Sequence, residues 1–420
     1  MRLAPGTPLT IGLLIDELAP SRPIGRLVMA RGLAQLEWSA DVLAEGLTIS
    51  PLRYPVEPGL HPARSREFDG LHGFLSDCLP DAWGTLLLKR RLQRMGYRFE
   101  DLDAVDRLAL VGTRGRGALV FQPETLLQPS PGTIDLDLLA KESRHVLLGE
   151  ETELDALLAR LGGGSGGARP KVHVAIASDG SLRAGDELAV SSDTKSAEEW
   201  IVKFAAMNDP ADIGPLEEAY ARMARAAQID MAETRLLRAA SGPGHFATRR
   251  FDRPAPGKRL HMVSLGGALE TQPHLPSVDY DGFLRATLAI TRSMADVEQA
   301  FRRMVFNILS RNRDDHVRQH AYLMDDLGNW RLAPAFDLTF SNGPGGEHYM
   351  AVQGEGRTIT RGHVESLGKR HGLAVKRITA IINDVRLALA DWSMQARDTG
   401  VGQSLTTVSE GLNIVAREFD

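Results

Sequence analysis

The feature that most constrains this chain is a pair of acidic positions on either side of a short hairpin pattern. The segment NRDDHVRQHAYL begins at Asn312 and places four polar side chains on a predicted loop: Asp314, Asp315, His316 and Gln319. The segment RLAPAFDLTFS then places Asp337 just beyond a second strand pattern. A phosphoryl-transfer site needs one carboxylate that orients or deprotonates the attacking hydroxyl. It also needs a second carboxylate that, with a side-chain carbonyl, holds magnesium at the phosphates.

Length and composition narrow the class of protein. At 420 residues the chain is too long for one compact core, so we expect two or three cooperating domains. Its 43% hydrophobic and 25% charged residues are typical of soluble globular proteins. The formal net charge of -5 argues against binding dominated by a nucleic-acid backbone.

Cysteine usage and hydropathy favour the cytoplasm. Cys78 is the only cysteine, which excludes an intrachain disulfide and a cysteine-rich zinc site. Asp16 and Glu17 interrupt the apolar run near the N-terminus, so this run is interpreted as a strand rather than a signal peptide. No uninterrupted apolar segment approaches the length of a membrane span. We therefore expect a cytoplasmic protein without a membrane partner.

Hydrophobic periodicity predicts a β-rich beginning and helices around the acidic loop. Up to about Pro123, the short alternating segments TIGLLIDEL, IGRLVMA and AQLEWSA indicate strands. A helical stretch follows them, with a new helix predicted at Pro80. Further along, HFATRRFDR and RLHMVSL indicate two more strands. Helices from Tyr280 to Arg292 and from Ala295 to Asn312 then lead into the acidic loop.

A glycine-rich stretch, GGGSGGARPKVHVAIA, runs from Gly162 to Ala177. Its glycines around Ser165 leave the backbone amides unobstructed, so the loop can approach anionic oxygens closely, and Lys171 adds a point charge. The same composition also suits a flexible linker.

A lysine inside an apolar strand is the next informative position. The segment EEWIVKFAA contains Lys203, which must face solvent or meet a partner because burying an unpaired ammonium is costly. Nucleotide phosphates and a glutamate of the helix PLEEAYARMARAAQI would be suitable partners. Glu217 and Glu218 are both candidates, although acidic residues also favour a first helical turn for electrostatic reasons. Downstream, Arg249 to Phe251 lies where a nucleotide base would meet backbone groups.

Taken in order, these motifs resemble the HipA family of serine/threonine kinases, the toxins of type II toxin–antitoxin modules. GGARPK, Lys203, RRFDR, RDDH and PAFDL follow one another as in that family. LEWSADVLAEG, GFLSDCLPDAWG and RGRGALVF resemble its N-terminal region, so the similarity covers nearly the whole chain. The acidic loop is also similar to a kinase catalytic loop followed by its metal-binding aspartate, although HRD and DFG are absent.

The resemblance implies an α+β, protein-kinase-like two-lobed fold with ATP and Mg²⁺ between the lobes. A small β-rich N-terminal subdomain would occupy residues 1–125 and a kinase N-lobe residues 126–255. An all-helical C-terminal lobe would occupy residues 256–420. The implied partners are a protein substrate, such as an aminoacyl-tRNA synthetase, and a small helix-turn-helix antitoxin, through which alone DNA would be contacted.

The resemblance also implies roles for individual side chains. Asp314 would be the catalytic base, with His316 beside it in the catalytic loop. Asp337 and Gln319 would hold magnesium. The implied nucleotide-binding residues are Gly164, Ser165, Gly166, Gly167, Lys171, Lys203, Glu217, Arg249 and Phe251.

Two positions depart from the family pattern. Gln319 stands where the family typically has asparagine, and its extra methylene would alter a magnesium geometry that tolerates little deviation. Gly164 stands where the family commonly has an autophosphorylated serine, and Ser165 is displaced from that position by one residue.

Three other interpretations remain open at this point. A pseudokinase would bind nucleotide without transferring phosphate. A metal-dependent hydrolase would use Asp314, Asp315, His316 and His320 as oxygen and nitrogen ligands. In a structural interaction protein, RDDH would be a solvated turn and Asp337 a helix cap.

Overall fold

The computed structural model describes residues 2–4, 6–125, 134–152, 154–162, 167, 169–184, 197–240, 242–274 and 276–420. The strands are β1 (Leu9–Leu13), β2 (Arg22–Ala30), β3 (Leu33–Trp38), β4 (Leu60–Pro62), β5 (Leu119–Gln122), β6 (Lys171–Ile176), β7 (Leu182–Ala184), β8 (Glu198–Lys203), β9 (Thr234–Leu237), β10 (His245–Arg249), β11 (His261–Ser264), β12 (Ala321–Met324) and β13 (Trp330–Leu332). The helices are α1 (Ala40–Glu45), α2 (Gly73–Ser76), α3 (Ala82–Arg94), α4 (Ala104–Val111), α5 (Leu136–Leu147), α6 (Asp155–Leu161), α7 (Ile213–Ala226), α8 (Leu265–Leu269), α9 (Tyr280–Thr291), α10 (Met294–Leu309), α11 (Arg361–Arg370), α12 (Val375–Ala390), α13 (Trp392–Thr399) and α14 (Leu405–Phe419).

In these ranges the strands form three antiparallel sheets. The first has the order β4-β3-β2-β1-β5, the second β7-β6-β8-β10-β9 and the third β11-β12-β13. Period-two alternation is clearest in β3, where every second side chain is buried against the core. The predicted α+β fold is confirmed, but the part after residue 256 is not purely helical. It contains the third sheet, because β11 pairs with the hairpin β12–β13 that follows the acidic loop.

The helices around the acidic loop form the core of the C-terminal part. Asp279 and Ser293 accept hydrogen bonds from the backbone N–H groups of Gly282 and Asp296 and so cap α9 and α10. Helix α10 packs against α9 and α12. Five of its apolar side chains are at least 95% buried: Phe301, Met304, Val305, Ile308 and Leu309. Just past this helix, Arg311 has a φ of 55°, so the chain turns sharply into the acidic loop.

The first sheet shares its core with the C-terminal helices. Apolar residues from Leu9 in β1 to Phe419 in α14 belong to one continuous buried cluster. A buried polar link is also present between the first and second sheets. The carboxylate of Asp252 accepts the backbone N–H of Gly117 at 2.9 Å, and Arg253 donates to the Gly117 carbonyl at 2.9 Å. The N-terminal sheet is therefore packed into the rest of the chain rather than tethered to it.

A cleft lies between the second sheet and residues of β11 and of the segment after β13. Several predicted site residues line it: Lys171, Lys203, Arg249, Phe251 and Asp337. Within the described part of the chain, no helix is both long and apolar enough to cross a bilayer.

Candidate active site

Three elements bring Lys203, Glu217 and Asp337 together. Lys203 ends β8, Glu217 lies in the first turns of α7, and Asp337 follows β13. The Lys203 ammonium is 2.8 Å from the Glu217 carboxylate and also donates a hydrogen bond to Asp337. Burial opposes protonation of Lys203, but the two carboxylates outweigh it and raise its pKa. Glu218 instead pairs with Arg222 at 2.8 Å, so the structure selects Glu217 as the partner of the strand lysine.

Arg169, to which the sequence assigned no role, joins the same cluster. It lies at the end of the glycine-rich stretch, and its Nη1 is 2.7 Å from Oε1 of Glu217. Its Nε is 3.0 Å from Asp209. The Glu217 carboxylate therefore holds Lys203 with one oxygen and Arg169 with the other. The only signal for this role is the position of Arg169 two residues before Lys171.

The glycine-rich stretch is described only in part. Gly164, Ser165 and Gly166 lie outside the described residues. Gly167 has a φ of 85°, which favours glycine, and a Cβ built there would lie 3.2 Å from the Lys171 ammonium. Lys171 itself is 3% exposed and lines the cleft beside Lys203. The structure thus places the buried Lys171 ammonium beside Gly167.

The surroundings of Asp314 favour the protonated form of its carboxyl group. Its side chain remains 48% exposed and lies 3.9 Å from Nε2 of His316. Partial removal from water, together with the nearby carboxylates of Asp337 and Asp315, raises the pKa of Asp314 to about 6. His316 accepts the backbone N–H of Arg318 at 3.2 Å with its Nδ1. Burial lowers the pKa of His316, so this ring is a neutral neighbour that shapes the loop.

Asp315 holds the loop in place. This fully buried carboxylate accepts hydrogen bonds from the Tyr280 hydroxyl at 2.6 Å, from His348 Nδ1 at 2.8 Å and from the Tyr349 backbone N–H at 2.8 Å. His320 packs against the Phe283 ring, with 4.1 Å between ring centroids, and burial lowers its pKa to about 3.

The hydrolase ligand set does not assemble as a metal site. Among the residues whose placement is described, no cluster of three or more His, Cys, Asp or Glu could hold a metal ion. Asp315 and His320 are both buried in the core. Of the four proposed ligands, only Asp314 and His316 therefore remain at the surface of the loop.

Asp337 lies opposite Asp314 at the end of the cleft. Its φ of 57° is in the left-handed region, which aspartate tolerates better than most residues. Burial opposes its ionisation, but the Lys203 and Lys171 ammonium groups hold its pKa well below the usual range. Asp337 caps no helix, because the next helical turn begins only at Pro344. The structural interpretation of this residue is therefore wrong.

The residues present fit a magnesium ion, with one qualification of geometry. Asp337 is an oxygen donor of the kind that Mg²⁺ prefers, and a cation beside it would relieve the repulsion by which its charge raises the Asp314 pKa. Gln319, however, presents its amide nitrogen to Asp337 at 2.9 Å. It could act as a metal ligand only after its amide group rotates.

The cleft is lined by both apolar and cationic side chains. It opens to solvent, and its enclosed volume is about 60 Å³. Its apolar walls come from Ile201, Phe251, Met262 and Phe336. The rings of Phe251 and Phe336 are tilted with centroids 5.5 Å apart. Lys171, Lys203 and Arg249 line the same cleft, so a flat base and a chain of phosphates would each meet suitable groups.

Comparisons with known proteins agree with this architecture. Over 97% of this chain and 95% of its own length, HipA of Shewanella oneidensis MR-1 superimposes with a TM-score of 0.68 at 17% identity. That protein was solved in a toxin–antitoxin complex with HipB and operator DNA. This match shows that the chain has the fold of HipA. The proinflammatory kinase CtkA of Helicobacter pylori aligns over 51% of this chain and 91% of its own at 14% identity, with a TM-score of 0.32 that is too low to bear on the fold.

A curated relative matches a shorter segment. A Haemophilus influenzae protein named "Putative kinase" is 26% identical over 135 residues, which cover 29% of this chain and 39% of the relative. Two family models cover most of the sequence. The HipA N-terminal domain matches residues 17–122, and the HipA-like C-terminal domain matches residues 163–392. The chain belongs to the HipA family.

Proposed function

We propose that this protein is an ATP- and Mg²⁺-dependent kinase that phosphorylates serine or threonine hydroxyls of a protein substrate. The observation that carries the proposal is the contact of Lys203 with both Glu217 and Asp337, together with Asp314 close enough to Asp337 for its charge to act on Asp314. A lysine held by a helix glutamate, an anionic aspartate after a hairpin and a loop carboxylate are the parts that phosphoryl transfer requires.

The cationic side chains of the cleft would bind the phosphates of the nucleotide. Lys203 and Lys171 would contact phosphate oxygens, and Glu217 would keep Lys203 oriented. The base would lie between Phe251 and the opposite apolar wall, with Arg249 at the edge. Bound magnesium ATP supplies the phosphoryl group and neutralises its charge, while the residues of this chain position it.

Asp314 would act on the substrate hydroxyl. A carboxylate whose pKa is raised to about 6 is still mostly ionised at neutral pH, yet it holds a proton more strongly than an ordinary aspartate. It would therefore orient the hydroxyl and accept its proton as the new bond to phosphorus forms. His316 would keep the loop in shape without exchanging a proton.

The physiological role would be that of a growth-arresting toxin in the cytoplasm. Membership of the HipA family supports this role, as does the structural match to a HipA solved with HipB and operator DNA. We propose a small helix-turn-helix antitoxin as the partner, with DNA contacted only through it. A translation component such as an aminoacyl-tRNA synthetase is the proposed substrate.

A transfer assay tests the activity directly. Wild-type protein and the Asp314→Asn variant would be incubated with γ-labelled ATP, magnesium and a cell extract, and labelled sites would be mapped by mass spectrometry. Label on an extract protein or on Ser165, with wild type only, is the expected result. Asp326→Asn, in the exposed turn between β12 and β13, is the matched control and should label as wild type does. Equal labelling by Asp314→Asn would remove Asp314 from the base role.

A second function is favoured by one observation. Because Gln319 presents its amide nitrogen rather than its oxygen to Asp337, the metal site would lack a ligand that family members have. The protein would then be a pseudokinase that binds nucleotide with little transfer. Magnesium-dependent ATP binding without any label in the same assay would select this alternative.

A further inference from the structure

Helix α3 of the N-terminal subdomain contacts the glycine-rich stretch at two residues, Gly162 and Lys171. At the far end, the Trp83 indole N–H donates to the carbonyl oxygen of Lys171 at 3.0 Å. At the near end, a Cβ on Gly84 would lie 2.9 Å from the Gly162 carbonyl oxygen, closer than real Cβ contacts. The two backbones meet there because neither residue has a side chain. Gly162 and Lys171 thus both contact a helix that lies much earlier in the chain.

Asp81, at the start of this helix, connects it to the cleft. One carboxylate oxygen accepts the Gly84 backbone N–H at 2.7 Å and caps α3. The other lies 3.5 Å from the Lys171 ammonium. Both side chains are only 4% exposed, so the two charges are shielded from water. The remaining N–H groups of Lys171 are available to a ligand in the cleft that this side chain lines.

We propose that Asp81 is a positioning residue of the nucleotide site, supplied by the N-terminal subdomain to hold the Lys171 ammonium in the cleft beside Gly167. This inference depends on the proposed ATP-binding function. Asp81 itself does not touch the nucleotide and acts through Lys171.

The charges around Lys171 explain why it needs this partner. Asp81 at the start of α3 and Asp337 after β13 favour its charged form, whereas Lys203 of β8 and Arg116 before β5 disfavour it. Burial lowers the Lys171 pKa further. Without Asp81, a buried ammonium would face two cations with one anion to offset them, so it would move or lose its proton.

The variant Asp81→Asn tests the proposal because asparagine still caps a helix but carries no charge. Dissociation constants for magnesium ATP and for adenosine would be measured on the full chain by calorimetry. We expect about tenfold weaker ATP binding or more, the size of one charge-assisted hydrogen bond, and unchanged adenosine binding. Asp81→Glu, which keeps the charge, should recover part of the loss. The matched control is Asp103→Asn, since Asp103 caps α4 in the same way.

Further variants separate positioning from a general loss of structure. Lys171→Met should show the same selective loss, and adding Asp81→Asn to it should cost nothing more because both remove one interaction. Trp83→Phe removes the hydrogen bond to the Lys171 carbonyl and tests the same proposal if Asp81→Asn fails to fold. It should also weaken ATP binding without weakening adenosine binding.

Each outcome is decisive. Equal weakening of ATP and adenosine would show that Asp81 only supports the fold. Wild-type ATP affinity in Asp81→Asn, or additive losses in the double variant, would also overturn the positioning role while leaving the kinase proposal intact. Failure of the wild-type protein to bind magnesium ATP would overturn the kinase proposal itself, and this inference with it.

Discussion

The Asp314→Asn substitution should stabilise the protein while it abolishes phosphoryl transfer. The pKa of Asp314 is raised to about 6 in the folded protein, because partial burial and the carboxylates of Asp337 and Asp315 disfavour its ionised form. The unfolded chain holds this proton with a pKa of about 4. Folding therefore works against an ionised Asp314 at neutral pH, and asparagine removes that cost.

The magnitude follows from the two pKa values. A rise from about 4 to about 6 corresponds to ~3 kcal/mol for a fully shielded group. Nearly half of the Asp314 side chain is exposed, so solvent screening reduces the gain to about 1 kcal/mol. For a chain of this length, 1 kcal/mol raises the thermal midpoint by about 1 °C.

The pH dependence identifies the cause. With a raised folded-state pKa, the destabilisation by Asp314 is complete above about pH 6 and disappears as pH falls towards 4. The assay compares thermal midpoints of wild type, Asp314→Asn and the control Asp326→Asn at several pH values, without magnesium or nucleotide. A gain for Asp314→Asn that does not shrink at low pH, or no gain at pH 7.5, would refute the electrostatic explanation.

Three further predictions concern the same loop and its neighbours. The transfer rate should fall about tenfold per pH unit as Asp314 takes up a proton, and this acid limb should lie below about pH 6 because bound magnesium offsets the Asp337 charge that helps to raise the Asp314 pKa; steady-state kinetics would show the limb, which is absent for ATP binding. Asp337→Asn should weaken magnesium-dependent ATP binding. It should also lower the free energy of unfolding by about 1–3 kcal/mol, because Lys203 then keeps only Glu217 as a partner. Since the Asp337 pKa is depressed in the folded protein, the difference in thermal midpoint between variant and wild type should shrink below about pH 4. Asp315→Ala should cost about 3 kcal/mol or more by leaving the buried groups of Tyr280 and His348 without their acceptor, and a normal thermal midpoint would contradict the role of Asp315 as the anchor of the loop.

The sequence predicted the parts of the site that depend on local pattern. A lysine within an apolar strand and a glutamate at a helix start were recognisable, and the structure joins Lys203 to Glu217 at 2.8 Å. The hairpin after the acidic loop was also evident from residue pattern. That hairpin and the RLHMVSL segment form the third sheet, so the description of the C-terminal lobe as all-helical was too coarse.

The remaining features depend on contacts between distant segments. Nothing in the sequence around Arg169 distinguishes it from an exposed arginine. Only the fold brings it to Glu217, 48 residues away. Asp81 could be recognised as a helix cap, but its second contact lies 90 residues further along the chain. The orientation of the Gln319 amide is likewise set by Asp337 rather than by its neighbours in sequence. The predicted contributions of Gly164, Ser165 and Gly166 stay predictions, as do those of Arg249 and Phe251 to base binding.

The shared core bears on when the protein can fold during its own synthesis. The N-terminal sheet leaves the ribosome first, yet the Asp252 carboxylate that binds Gly117 is translated 135 residues later. Phe419, in the same buried cluster as Leu9, is translated later still. Domains usually fold as they emerge, but here the first sheet must wait for the helices that cover it. A nascent chain that lacks these later segments therefore cannot complete the core on which the cleft rests.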